Sequence, residues 1–96
     1  MRYTVVSERS GGTTRIAFRG ELDMSCCDVL ERKLTQALDA DGERIVLDLR
    51  ELAFLDSTGL RVILKARTEA HQLGKQFELL RPGRHPRRVL ELSGLD

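Results

Sequence analysis

Apolar and polar residues alternate along two stretches near the start of the chain, Tyr3 to Glu8 and Thr14 to Arg19, as a half-buried strand requires. In the second stretch Ile16 and Phe18 point one way and Arg15, Ala17 and Arg19 the other, so one face is expected to be the more solvent-exposed. Ser10-Gly11-Gly12-Thr13 between them supplies turn residues able to reach positive φ, which predicts an antiparallel hairpin. Gly20 then relaxes steric limits where the chain turns. From about Ser25 to Ala40 the apolar spacing becomes helical: Cys27, Leu30, Leu34, Ala37 and Leu38 share one stripe, with Cys26 and Val29 at its margin. Asp23 or Ser25 is placed to cap this helix.

Ile45 to Leu49 is apolar except for Asp48, the pattern of a central parallel strand covered on both sides. Asp48 stands where open α/β sheets place their working loops, or simply hydrogen-bonds the loop that follows. Ala53-Phe54-Leu55 is expected to anchor the next loop to the core. Leu60, Ile63, Leu64, Arg67 and Ala70 follow helical spacing to about Leu73, and Gly74 is placed to end that helix. Gln76 to Leu80 reads as a short strand suited to an edge, broken by Arg81-Pro82-Gly83. Pro86 can begin a final helix with Val89, Leu90 and Leu92 toward the core and Ser93-Gly94 at its end. The expected order is β-β-α-β-α-β-α: a compact α/β domain over residues 1–96 with a four-stranded mixed sheet, two main helices and a short third.

Composition narrows the function classes. With 41% hydrophobic and 32% charged residues in 96, the chain fits one small globular domain. A formal charge of +1 gives no reason to expect direct nucleic-acid binding. No apolar stretch approaches membrane-spanning length, so no membrane insertion is expected. Cys26 and Cys27 are adjacent, a spacing that opposes ordinary disulfide geometry, and are read as free thiols in a reducing cytoplasm. Neither belongs to a CxxC pair or has a His nearby, so no metal site, redox centre or cofactor is expected.

The stretch Leu55-Asp56-Ser57-Thr58-Gly59-Leu60 lies at a loop-to-helix junction. A Ser at a helix start can carry an anionic modification beside unpaired backbone N–H groups and the positive end of the helix dipole. On position alone, Asp56 or Ser57 equally serves as an ordinary helix cap. Asp56-Ser57-Thr58-Gly59-Leu60 also resembles the D-S-[ST]-G-L signature of bacterial anti-sigma factor antagonists, which share the STAS fold with the cytoplasmic domain of sulphate transporters. Gly20-Glu21-Leu22-Asp23, Asp48-Leu49 and Arg87-Arg88-Val89-Leu90-Glu91-Leu92-Ser93-Gly94-Leu95 agree with it in order, so the resemblance spans nearly the whole chain.

The resemblance implies a regulatory binding protein, not an enzyme. In that family the unmodified domain captures an anti-sigma factor that is also a serine kinase and thereby frees a sigma factor. The kinase uses ATP to phosphorylate the first Ser of the signature, here Ser57, and a metal-dependent serine phosphatase reverses it. The implied partner surface comprises Gly20, Glu21, Asp23, Asp56, Ser57, Thr58, Gly59 and Arg61. Arg61 departs from the usual pattern, since many relatives carry Gly or another small residue after the Gly-Leu pair. The alternative is a STAS-like component of a transport or signalling assembly that is never phosphorylated.

Two other chemistries are weaker. Ser57 and His71 with Asp48 or Asp56 would name a hydrolase triad, but no G-x-S-x-G is present and His71 falls near the far end of the helix that follows Ser57. His71 reads as a last-turn residue. Arg81, Arg84, Arg87 and Arg88 form a basic run whose ordinary meaning is a solvated helix start.

Overall fold

The computed structural model describes residues 3–83 together with Pro86, Arg88, Leu90 and Glu91. Strands β1 (Tyr3–Ser10) and β2 (Thr13–Leu22) form the expected antiparallel hairpin, and Gly11 and Gly12 turn it with φ of 56° and 83°. Helix α1 (Cys27–Asp39), strand β3 (Arg44–Asp48), strand β4 (Leu52–Leu55), helix α2 (Ser57–Gln72) and strand β5 (Gln76–Leu80) follow. Pro86, Arg88, Leu90 and Glu91 are helical, and Leu90 is buried in the core. Val89, Leu92, Ser93, Gly94, Arg84 and Arg87, which complete the expected final helix and basic run, lie outside the described residues.

The sheet has five strands, not the four expected. Its order is β1-β2-β3-β5, with β4 also paired to β2. The extra strand exists because β2 is long enough to hold two partners in succession on one edge. Thr13 to Ala17 pair in parallel with β3, and Gly20 to Leu22 pair in parallel with β4. The register shifts between Gly20 and Glu21, where Gly20 adopts φ 99°, a conformation open to glycine and costly for a side chain. Gly20 N–H donates to the Glu51 carbonyl at 3.1 Å, which ties the β3–β4 connection to this bulge.

Ile16 and Phe18 of β2, Ile45 and Leu47 of β3, Leu30 and Leu34 of α1, and Ile63, Ala66 and Ala70 of α2 belong to one buried cluster. Both main helices thus cover the same face of the sheet. The opposite face carries Arg15, Ala17, Val46, Asp48 and Glu78, in register with one another, and no helix covers it among the described residues. The expectation that β3 is covered on both sides is corrected accordingly. Val46 is buried because it lies in register between Arg15 and Glu78, long side chains whose stems can cover apolar surface.

Asp48 is the charged group buried on that open face. Its Oδ1 accepts from the Arg50 backbone N–H and Nε, both at 3.0 Å, and its Oδ2 accepts from Arg50 Nη2 at 2.9 Å and from Arg15 Nη2. Asp48 ends β3, the position named in the first sequence reading, and it hydrogen-bonds the loop that follows, as the second expected. Hydrogen bonds from Arg50 outweigh the effect of burial and hold this carboxyl at a pKa of about 2.

Candidate functional site

The parallel pairing of β2 with β4 determines what stands beside Ser57. Leu22 and Leu55 are in register at the ends of these strands, and the Asp56 N–H donates to the Leu22 carbonyl at 3.2 Å. The two loops that leave the strands, one toward α1 and one toward α2, therefore emerge side by side at the C-terminal edge of the sheet. Nothing in the spacing of Asp23 and Asp56, 33 residues apart, announces this neighbourhood.

Asp56 joins the two loops. As the N-cap of α2, in extended conformation, it accepts the Gly59 N–H on Oδ1 at 2.9 Å. Its second oxygen, Oδ2, accepts the Met24 backbone N–H at 3.2 Å. One carboxylate thus satisfies an orphan donor of α2 and holds the β2–α1 loop. Of the two capping candidates, Asp56 and Ser57, the cap is Asp56.

Ser57 is the first residue of α2 and is exposed. The first turn of this helix carries no acidic residue of its own. Thr58 is half-buried behind it, and Gly59 is buried. A Cβ on Gly59 would stand 2.7 Å from Leu22 Cγ and 2.9 Å from Leu55 Cδ1, well inside contact distance. Gly59 therefore lets the start of α2 sit directly on the paired ends of β2 and β4. Arg61, one turn after Ser57, is exposed and makes no ion pair among the described residues.

Beside it, Glu21 near the end of β2 and Asp23 in the loop that follows are half-buried. Asp23 does not cap α1. Its Oδ1 accepts from the backbone N–H of Ser25 at 2.9 Å and from the Ser25 hydroxyl, closing a tight turn before the helix begins at Cys27. The N-cap position falls on Cys26, which makes no side-chain capping bond.

Both thiols are free and buried. Cys26 Sγ donates to the Glu21 carbonyl at 3.3 Å, and Cys27 Sγ donates to the Asp23 carbonyl at 3.0 Å. Burial, then the Asp56 charge, pushes the Cys27 thiol up to about 11, and burial likewise raises Cys26. At neutral pH these groups are thiols acting as hydrogen-bond donors to the loop.

Sequence reasoning missed Met24, whose side chain is 75% exposed between these elements. Its only signal was a lone apolar residue between Asp23 and Ser25. Phe54, expected to anchor the loop in the core, is 40% exposed, while Leu55 fills the anchoring role at 3%. Alternation across a strand sends these neighbours to opposite faces.

A hydrolase triad is excluded by length. Ser57 opens α2 and His71 lies in its last turn, about 21 Å along the axis at 1.5 Å per residue.

Residues 5–96 match the family described as Mlab, STAS domain. The chain belongs to this STAS domain family. Among curated relatives, the anti-sigma F factor antagonist of Paenibacillus polymyxa is 31% identical over 96 residues, covering 99% of this chain and 82% of the relative. Among solved structures, the unphosphorylated anti-sigma factor antagonist SpoIIAA superposes with a TM-score of 0.84 at 26% identity, covering 96% of this chain and 82% of that one. The Bacillus cell fate determinant SpoIIAA in its phosphorylated form superposes with a TM-score of 0.79 at 26% identity, covering 96% and 85%. STAS domains of this antagonist group are binding proteins, not enzymes. Among the described residues of this one, no helix is long and apolar enough to cross a membrane.

Proposed function

We propose that this STAS domain is an anti-sigma factor antagonist. Unmodified, it captures an anti-sigma factor that is also a serine kinase, which releases a sigma factor in the cytoplasm. The kinase phosphorylates Ser57, the complex dissociates, and a serine phosphatase restores the binding form. The relatives named as antagonists support the first step, and the existence of a SpoIIAA structure in phosphorylated form supports the second.

The observation that carries the reading is an exposed Ser57 at the N-terminus of α2, joined through Asp56 to the loop that bears Asp23 and follows Glu21 of β2. The proposed surface comprises Gly20, Glu21, Asp23, Asp56, Ser57, Thr58, Gly59 and Arg61. Gly20 and Gly59 contribute to it by shaping backbone, since one forms the bulge and the other is buried.

The physics of phosphorylation suits such a switch. A phosphate brings about 1.5 to 2 negative charges and three strong acceptors. At the first residue of a 16-residue helix that charge meets backbone donors and a favourable dipole, so the fold tolerates it. Pressed into a packed partner surface, the same charge and its three oxygens are costly to desolvate and have no room, whatever cations border that surface. The domain stays folded while its interface is lost.

The test is incubation with candidate anti-sigma kinases and ATP, followed by site-resolved mass spectrometry. Phosphate is expected on Ser57 and absent from Ser57→Ala, which retains fold and binding. Phosphate mainly on Thr58 or elsewhere would overturn the assignment.

A further inference from the structure

Four large hydrophobic side chains are notably exposed among the described residues, and Met24 is the most exposed of them at 75%. A single exposed apolar residue needs no explanation by itself. Two observations set Met24 apart.

The first is its base. The Met24 N–H is held by Asp56 Oδ2, the preceding Asp23 closes its turn onto Ser25, and the Cys26 and Cys27 thiols hold the carbonyls of Glu21 and Asp23. An exposed side chain on a backbone fixed from both sides loses less freedom on binding than one on a loose loop. A thioether also adapts to an irregular pocket.

The second is its field. From Gly20 to Met24 the chain carries Glu21 and Asp23 and no Lys or Arg, and the carboxylate bonded to Met24 adds Asp56, while Asp28 and Glu31 further on are ion-paired with Arg32 and Lys65. Met24 is an apolar knob in acidic surroundings. An anionic membrane surface would be repelled by that field, and a second copy meeting the same patch would bring carboxylates against carboxylates. The complementary surface is a protein pocket that is apolar inside and bordered by Lys or Arg.

We propose that Met24 is the apolar anchor of this domain, inserted into an apolar, basic-rimmed pocket on the anti-sigma factor. The proposal rests on the function inferred above and adds to it the residue that grips. Ser57 follows Asp56 directly in the chain, so the anchor and the modified hydroxyl belong to one surface. Anchors of this kind carry a large share of binding while the surrounding charges set orientation and encounter rate.

The experiment is a calorimetric titration of the unmodified chain with each candidate anti-sigma factor of the same organism. Wild type, Met24→Leu, Met24→Ala and Leu73→Ala are compared at about 50 mM and about 300 mM salt, a range over which screening changes strongly. Met24→Ala is expected to weaken binding at least about tenfold, as loss of an anchor does. Met24→Leu, which keeps the apolar volume, should stay within about threefold of wild type, and Leu73→Ala should bind as wild type does. All should melt as wild type, because the altered side chains are solvent-exposed. Affinity of every variant should fall with salt.

Met24→Ala binding within about twofold of wild type would overturn the anchor while leaving the antagonist function standing. Salt-independent affinity would overturn the basic rim. Met24-dependent binding to anionic vesicles or Met24-dependent self-association, with anti-sigma binding intact in Met24→Ala, would assign the side chain elsewhere and overturn the proposal. A wild-type chain that binds no anti-sigma factor would overturn the function itself, and the anchor with it.

Discussion

At Gly59 an added methyl group has nowhere to go. The clash is with Leu22 and Leu55, both buried, so the start of α2 would have to lift or those side chains leave their positions. Overpacking of this kind costs about 1–3 kcal/mol. Gly59→Ala is expected to lower the urea midpoint accordingly at an unchanged slope, and an unchanged midpoint would show that the junction is loosely packed. Asp56→Ala removes an N-cap, a loss of about 0.5–2 kcal/mol, and also frees the Met24 N–H. Hydrogen exchange should accelerate at the amides of both Met24 and Gly59, and protection retained at Met24 would deny the bridge between loops. The Asp56-Ser57-Thr58-Gly59 stretch was legible in the sequence because its chemistry is local. Met24 was not, because the bond that holds its backbone runs to a residue 32 positions away.

Among the elements, β1, β2 and both main helices were legible because each carries a period of apolar residues, and β3 because it is a short apolar run between two helices. Strand β4 was not. Leu52–Leu55 is four residues long, with its ends buried and its middle exposed, and its partner is the C-terminal extension of β2 beyond a bulge. The apolar run of β3 was legible as a strand and misread as covered twice, since arginine and glutamate stems shield its second face as a helix would.

Asp48 gives the open face of β3 a pH signature. Its carboxyl is held at about 2 in the folded chain against an ordinary 3.8, so its contribution is fully present above about 4 and is lost as pH falls toward 2. A shift of that size corresponds to about 2 kcal/mol. Asp48→Asn should therefore be less stable than wild type at pH 7, with the gap closing between pH 4 and pH 2 in urea unfolding. A gap that stays constant over that range would detach the stability from the Asp48 charge.

For the whole molecule, the arrangement keeps the core apart from the proposed interface. The core lies between the sheet and two helices, while Ser57, Met24 and Arg61 are exposed at one edge. Arg61→Ala should leave stability within about 0.5 kcal/mol of wild type, as for other exposed positions. Crossed with phosphorylation of Ser57 in a double-mutant cycle, it should show coupling of about 0.2–1 kcal/mol if the guanidinium reaches the phosphate one turn away. Strict additivity in both thermal unfolding and binding would leave Arg61 an ordinary solvated side chain.

Phosphate on Ser57 is proposed to act at the interface and not on the fold. This is tested most directly by titrating one anti-sigma factor with the fully phosphorylated and the unmodified chain in parallel, with circular dichroism recorded on both. The spectra should superimpose, and the phosphorylated chain should bind at least about tenfold more weakly, about 1.4 kcal/mol or more. Equal affinities, or weaker binding accompanied by loss of helical signal, would contradict it.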